Sequence, residues 1–214
     1  MRNDPTIDVL YPNALILGDV PEAGREYMEM CSSEGEVTFE RLINQQCIVM
    51  CCVTARRDSI IRAGMFDETL RCSEDFDMWL RIIKQGGRIA YHRQVLARYR
   101  RRGGSHTADP IWLCHHVMRV LDKARRTMEL TASERAAVDQ QYRGLQALLR
   151  HSEGKKAFFS GDVEGAIEAL TEANSYLKSR KIGATLFLLR RAPHLLLRAY
   201  DLRDRFVFKS STRI

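Results

Sequence analysis

The chain has 214 residues, of which 45% are apolar and 29% charged, which is enough to bury a real core in one or two domains and excludes a disordered or fibrous chain. Its net charge of +7 is concentrated at one end: residues 178–214 hold ten Lys/Arg against two Asp/Glu, while residues 1–177 are close to neutral. No apolar run approaches the roughly 20 residues of a membrane-crossing helix, and Met1-Arg-Asn-Asp-Pro5 does not read as a secretory leader.

Ile7–Tyr11 reads as a short strand, turned at Pro12-Asn13, continued by Ala14–Leu17 and closed by Gly18-Asp19. Residues 21–37 are polar and glycine-containing, and read as a variable surface loop. Thr38 is placed to cap a short helix to Asn44. Cys47–Val53 is continuously apolar, which predicts a central strand covered on both faces. Cys47, Cys51 and Cys52 fit no common zinc spacing and read as buried thiols of that strand. The six cysteines together read as reduced thiols of a cytoplasmic protein.

Asp58 caps a helical turn over Ser59–Ala63, and Gly64 ends it. Then come three carboxylates within four residues, Glu74, Asp75 and Asp77, where a loop becomes a helix. Ser73 is the expected cap, the helix runs from Asp75 to Gln85, and Gly86-Gly87 stops it. First-turn carboxylates suit the helix dipole, so such a cluster forms without any function. Two strands follow, Arg88–His92 and Val95–Tyr99. Arg98–His106 then packs four arginines and two glycines into nine residues. That loop is either a solvated basic turn or a phosphate-binding one, since guanidinium groups match phosphate oxygens bidentately.

The order Arg57, Gly64, Phe66-Asp67-Glu68, Glu74-Asp75, Asp77, Trp79-Leu80-Arg81 and Gly87 resembles the acceptor half of family 2 glycosyltransferases, which have the GT-A fold. Asp8, Tyr11, Pro12, Ala14, Gly18 and Asp19 add a similar stretch, and the resemblance spans roughly residues 8–107. It implies inverting transfer of a sugar from a nucleotide-sugar donor to a hydroxyl of a glycan or lipid-linked acceptor. Asp75 would be the catalytic base, with Glu74, Asp77 and Trp79 binding the acceptor. Trp79 stands at a helical position that also suits core packing. Arg100, Arg102, Ser105 and His106 would meet the donor diphosphate. Tyr99, Arg100 and Ser105 match the family's closing motif, but Arg102 stands where its histidine would be. A divalent metal, Mn²⁺ or Mg²⁺, is expected only in an intact enzyme, where an Asp-X-Asp region holds it. Only seven residues precede Asp8, so the expectation is a fragment that does not transfer sugar alone.

Asp109-Pro110 marks a change of pattern and an expected division into residues 1–109 and 110–214. Trp112–Met128 has helical spacing. Thr131-Ala-Ser-Glu134 reads as a capping box, opening a helix to about His151 with Val138, Tyr142, Leu145 and Leu149 inward. Gly154–Leu177 resembles one tetratricopeptide helix pair, turned at Gly161-Asp162. Ala184–Leu189 and Pro193–Phe208 interleave aliphatic residues with arginines and read either as a docked helix or as one lying on an anionic membrane surface at the inner face of the membrane. The fold class expected is therefore a partial α/β sheet followed by an all-α region. The rival function is a non-catalytic module that binds a protein partner or a membrane. Nucleic-acid binding is not expected, because the tail arginines alternate with Leu, Phe and Tyr.

Overall fold

A computed structural model describes residues 1–31, 33–49, 52–102 and 109–194. The chain is an α/β region followed by helices, as its pattern predicts. It divides into two compact units, Met1–Tyr142 and Arg143–Ile214, with the boundary inside one helix. Strand pairing among the described residues ends before Pro110, so the change of pattern there marks the last strand, while the compact units part further along the chain.

The first unit is organised on a three-stranded sheet of order β2-β1-β3. β1 is Ile7–Leu17, β2 is Thr54–Ala55 and β3 is Arg88–Arg100. β1 runs parallel to β3 and antiparallel to β2. The two short strands expected on either side of Pro12-Asn13 are one strand, and so are the two expected on either side of Arg93-Gln94. The ladder slips in register near Asn13 instead of breaking. Asn13 makes this slip tolerable. It is buried, its Nδ2 donates to Glu26 Oε2 (2.8 Å) and Arg93 O (3.3 Å), and its Oδ1 accepts from Ala14 N (2.8 Å) and Met28 N (3.0 Å). Buried backbone groups freed by the irregularity therefore keep partners.

Those bonds also order part of the segment expected to be a surface loop. Tyr27–Met30 forms helix α1, with Met28 buried. Helix α2, Phe39–Ile43, begins where Thr38 caps it, with Thr38 Oγ1 accepting from Arg41 N at 3.3 Å. The strand expected over Cys47–Val53 is not formed among the described residues, since pairing starts only at Thr54. Met50 and Cys51 lie outside the described residues. Cys47 and Val49 are buried nonetheless. The apolar run encodes burial, and it lacks the period-two alternation that would specify pairing. Helix α3, Arg57–Arg62, and helix α4, Glu74–Lys84, complete the crossover from β1 to β3.

Helix α5, Pro110–Thr127, is capped by Asp109, whose Oδ1 accepts from Ile111 N (2.9 Å) and Trp112 N (3.2 Å). Helix α6, Ala132–Phe159, opens on the predicted capping box: Thr131 N donates to Glu134 Oε2 (2.8 Å), and Glu134 N donates to Thr131 Oγ1 (3.2 Å). The core of the first unit gathers Val9, Tyr11 and Ile16 of β1, Phe39 and Ile43 of α2, Met78, Leu80 and Ile82 of α4, and Val120 and Leu121 of α5.

The second unit holds the end of α6, helix α7 (Val163–Leu177) and helix α8 (Arg180–Arg191). α6 does not stop near His151. It continues through Gly154, where a side chain would sit 2.8 Å from Leu170 Cγ, so the glycine allows the close approach of α7. Asp162 caps α7 through Gly165 N (2.9 Å). α8 starts earlier than expected, and its Ile182, Leu186 and Leu189 pack with Phe158, Ala166 and Leu170. The described part of the tail is thus a docked helix. Residues 195–214, which carry most of the Pro193–Phe208 element, lie outside the described residues. Among the described residues, no helix is long and apolar enough to cross a membrane.

Candidate functional site

α4 sorts the three clustered carboxylates by direction. Residues two apart on a helix point about 200° away from each other, so Asp75 and Asp77 cannot share a face. Asp77 is fully buried and locked. Its Oδ2 accepts from Arg81 Nε (2.9 Å), Arg81 NH2 (2.8 Å) and Lys123 Nζ (2.9 Å), while Lys123 also binds Asp67 Oδ2 (2.7 Å). Arg81 also donates to the carbonyl oxygens of Ala63 and Met65. The network ties α4 to α5 and to the turn that precedes it. The Lys123 ammonium, with Thr69, holds the Asp67 carboxyl well below the usual carboxylate range. Asp77, expected to bind the acceptor, is buried, does not line the Asp75 cavity and is engaged by Arg81 and Lys123.

Asp75 has the opposite surroundings. It lines a cavity of about 360 Å³ in the first unit, together with Tyr27, Phe76, Trp79 and Tyr99, the aliphatic chains of Leu42, Ile43, Ile48, Val49, Leu113 and Val117, and a few polar groups. It is the one charged residue on that lining, and no basic side chain neighbours it among the described residues. Burial pushes its carboxyl upward, the adjacent Glu74 adds to that, and Phe76 N–H donating to Oδ1 (2.7 Å) opposes it. A desolvated carboxylate of raised pKa is a better proton acceptor once ionised.

The expected serine cap is replaced by backbone geometry. Ser73 has left-handed dihedrals (φ 58°, ψ 23°) and makes no capping hydrogen bond, its hydroxyl lying 3.6 Å from Cys72 Sγ. A non-glycine residue in that region is strained. The strain falls at the turn that brings Ser73 and Asp75 onto the same cavity wall.

The other expected site residues are placed as follows. Glu74 is exposed and does not line the cavity. Trp79 lines it but is only 3% exposed, with its indole N–H buried and unpartnered among the described residues. It offers no open face for stacking, so the rings of Tyr27, Phe76 and Tyr99 are the accessible ones. Tyr27 and Tyr99 meet edge to face at 5.4 Å between centroids. Arg100 ends β3 and Arg102 follows it, both exposed and off the cavity lining. Arg101 between them pairs with Glu22 at 3.3 Å, and its N–H donates to Leu17 O at 2.8 Å. This pins the arginine segment beside Gly18, whose φ of 124° and contact with the Arg101 carbonyl leave no room for a side chain. Ser105 and His106 lie outside the described residues.

Tyr27 was not legible as a site residue. Its only signal is a tyrosine beside Met28 and Met30 in a stretch that reads as a surface loop, and it reaches the cavity because Asn13 anchors α1. Among the described residues, no group of three or more His, Cys, Asp or Glu side chains could hold a metal ion. A scan against protein-family models finds no match to this chain, and a search of curated proteins finds no significant relative.

Proposed function

We propose that the first unit is the acceptor side of an inverting glycosyltransferase, with Asp75 as the general base. The observation that supports this most is the carboxylate itself. Among the described residues it is the single charge on a mostly apolar cavity and has no cation beside it, and a strained turn delivers it there. A structural acidic residue has no reason to avoid a partner, as Asp77 two positions away illustrates.

In the proposed step an acceptor hydroxyl donates to the Asp75 carboxylate. The hydroxyl oxygen forms a bond to the anomeric carbon of a nucleotide sugar as the bond from that carbon to the diphosphate breaks. The proton passes to Asp75, and the nucleoside diphosphate leaves with the bonding electrons. Exposed Arg100 and Arg102 are the cations this reading offers to the diphosphate. Exposed in high dielectric, such cations bind anions weakly and with strong salt dependence. The reading takes the donor to be held by a donor-binding region that completes the site, with any divalent metal there, and the reaction to be cytoplasmic.

The test is a transfer assay with nucleotide sugars in the presence of a donor-binding region, comparing wild type with Asp75→Asn. Loss of a general base lowers the rate by roughly 10²–10⁴-fold. Near-normal turnover by the variant would remove Asp75 from the role.

A further inference from the structure

The lining of the Asp75 cavity carries more than a base; it also constrains what the base acts on. Six aliphatic side chains, Leu42, Ile43, Ile48, Val49, Leu113 and Val117, form much of the wall. The neutral polar groups on the lining, among them Gln45, Ser73 and Gln141, are outnumbered by apolar chains, and a sugar hydroxyl that faces an aliphatic wall is buried without a partner, which is unfavourable. Trp79, the expected sugar platform, presents no open ring face. Among the described residues the one formal charge on the wall is negative, so a phosphate or carboxylate on the entering group would be repelled at short range.

Resting on the reading of Asp75 as a base, we infer that the acceptor group entering this cavity is an uncharged aryl or branched-alkyl alcohol, with its apolar body against the aliphatic wall and its hydroxyl on Asp75. The size agrees. About 360 Å³ holds roughly a dozen heavy atoms, at about 30 Å³ for each water-sized unit. The rings of Tyr27, Phe76 and Tyr99 suit an aromatic or aliphatic body equally, because both bury apolar surface against them. The balance of the step is unchanged: the alcohol gives its proton to Asp75 and its oxygen to the sugar.

The probes are 4-propylphenol, methyl α-glucoside of similar size, and phenyl phosphate as the anionic control, each titrated into the full 214-residue chain. Binding is read from the NMR shifts of the Trp79 indole, assigned through Trp79→Phe, and of the Tyr27 and Tyr99 rings. The expected result is saturable movement of these signals by 4-propylphenol at about millimolar concentration or below. The glucoside and the phosphate ester should leave them in place. Val117→Phe, which narrows the cavity without touching Asp75, should weaken 4-propylphenol binding at least tenfold. Leu113→Phe repeats the test from another point on α5 should the first variant fail to fold. Equal or tighter binding of the glucoside would overturn the apolar acceptor while leaving the base intact, as would a titration in which 4-propylphenol moves none of the signals. The transfer assay of Asp75→Asn fails or succeeds independently of these titrations, so the two readings fall separately.

Discussion

Asp75 and Asp77 lie on one helix, two residues apart, and live in opposite electrostatic worlds. Asp77 is enclosed by Arg81 and Lys123 at hydrogen-bond distance and links three segments of the fold. Asp75 faces mostly apolar side chains, with no counter-ion among the described residues. The contrast separates two uses of a carboxylate that look identical in a local window. A buried charge that serves structure is paired, because the penalty of leaving it unpaired is several kcal/mol. A carboxylate proposed to act as a base is expected to be left unpaired and available, with the fold carrying the penalty.

The comparison is broken most sharply by neutralising each carboxylate in turn. Asp75→Asn should lower transfer by roughly 10²–10⁴-fold with the circular dichroism spectrum and cooperative melt retained. Asp77→Ala should do the reverse: it removes the buried carboxylate from Arg81, leaves Lys123 with Asp67 alone, and should lower folding stability by roughly 3–5 kcal/mol, read from urea denaturation. Equal destabilisation by the two variants would mean that Asp75 is a second structural carboxylate.

A substitution that touches neither carboxylate sharpens the contrast. Gly18→Ala forces a side chain into the left-handed region and into the Arg101 carbonyl. It should lower stability by about 1–3 kcal/mol while leaving 4-propylphenol binding in the cavity unchanged. Loss of that binding would mean that the Gly18–Arg101 contact helps to shape the Asp75 site.

The smallest effect is the most diagnostic, because its sign differs between the two faces. The folded-state pKa of Asp75 is raised by burial, so its contribution favours the fold below the ordinary carboxylate pKa and is lost as pH rises through the folded value. Asp75→Asn should therefore melt slightly higher than wild type at neutral pH, with the gain shrinking on acidification. Asp67, held low by Lys123, contributes stability above the ordinary carboxylate pKa and loses it as pH falls through the folded value. Asp67→Asn should melt lower than wild type at neutral pH, with the difference closing in acid. Paired melts from pH 7 down to pH 3 check both signs, and parallel curves for the two variants would refute the contrast.

The sequence by itself determined the features that depend on neighbours three or four residues away. The Thr38 cap, the Thr131–Glu134 capping box and the helix turn at Gly161-Asp162 all stand where the local pattern places them. So does α4 with its acidic first turn, and with it the position of Asp75. Each is a closed local account of backbone donors and side-chain acceptors, so no distant residue is needed to read it. Tertiary structure alone decided the rest. Whether Cys47–Val53 pairs as a strand depends on which edge is free to receive it, and hydrophobicity carries no register. Tyr27 enters the cavity wall only because Asn13, fourteen positions earlier in the chain, also bonds the backbone of Arg93, 80 residues from it. Which carboxylate is locked and which is left open depends on Lys123, 46 residues beyond Asp77. Contacts of that separation leave no periodic trace in the sequence, because they are selected by the packing of whole elements and not by the spacing of residues within one.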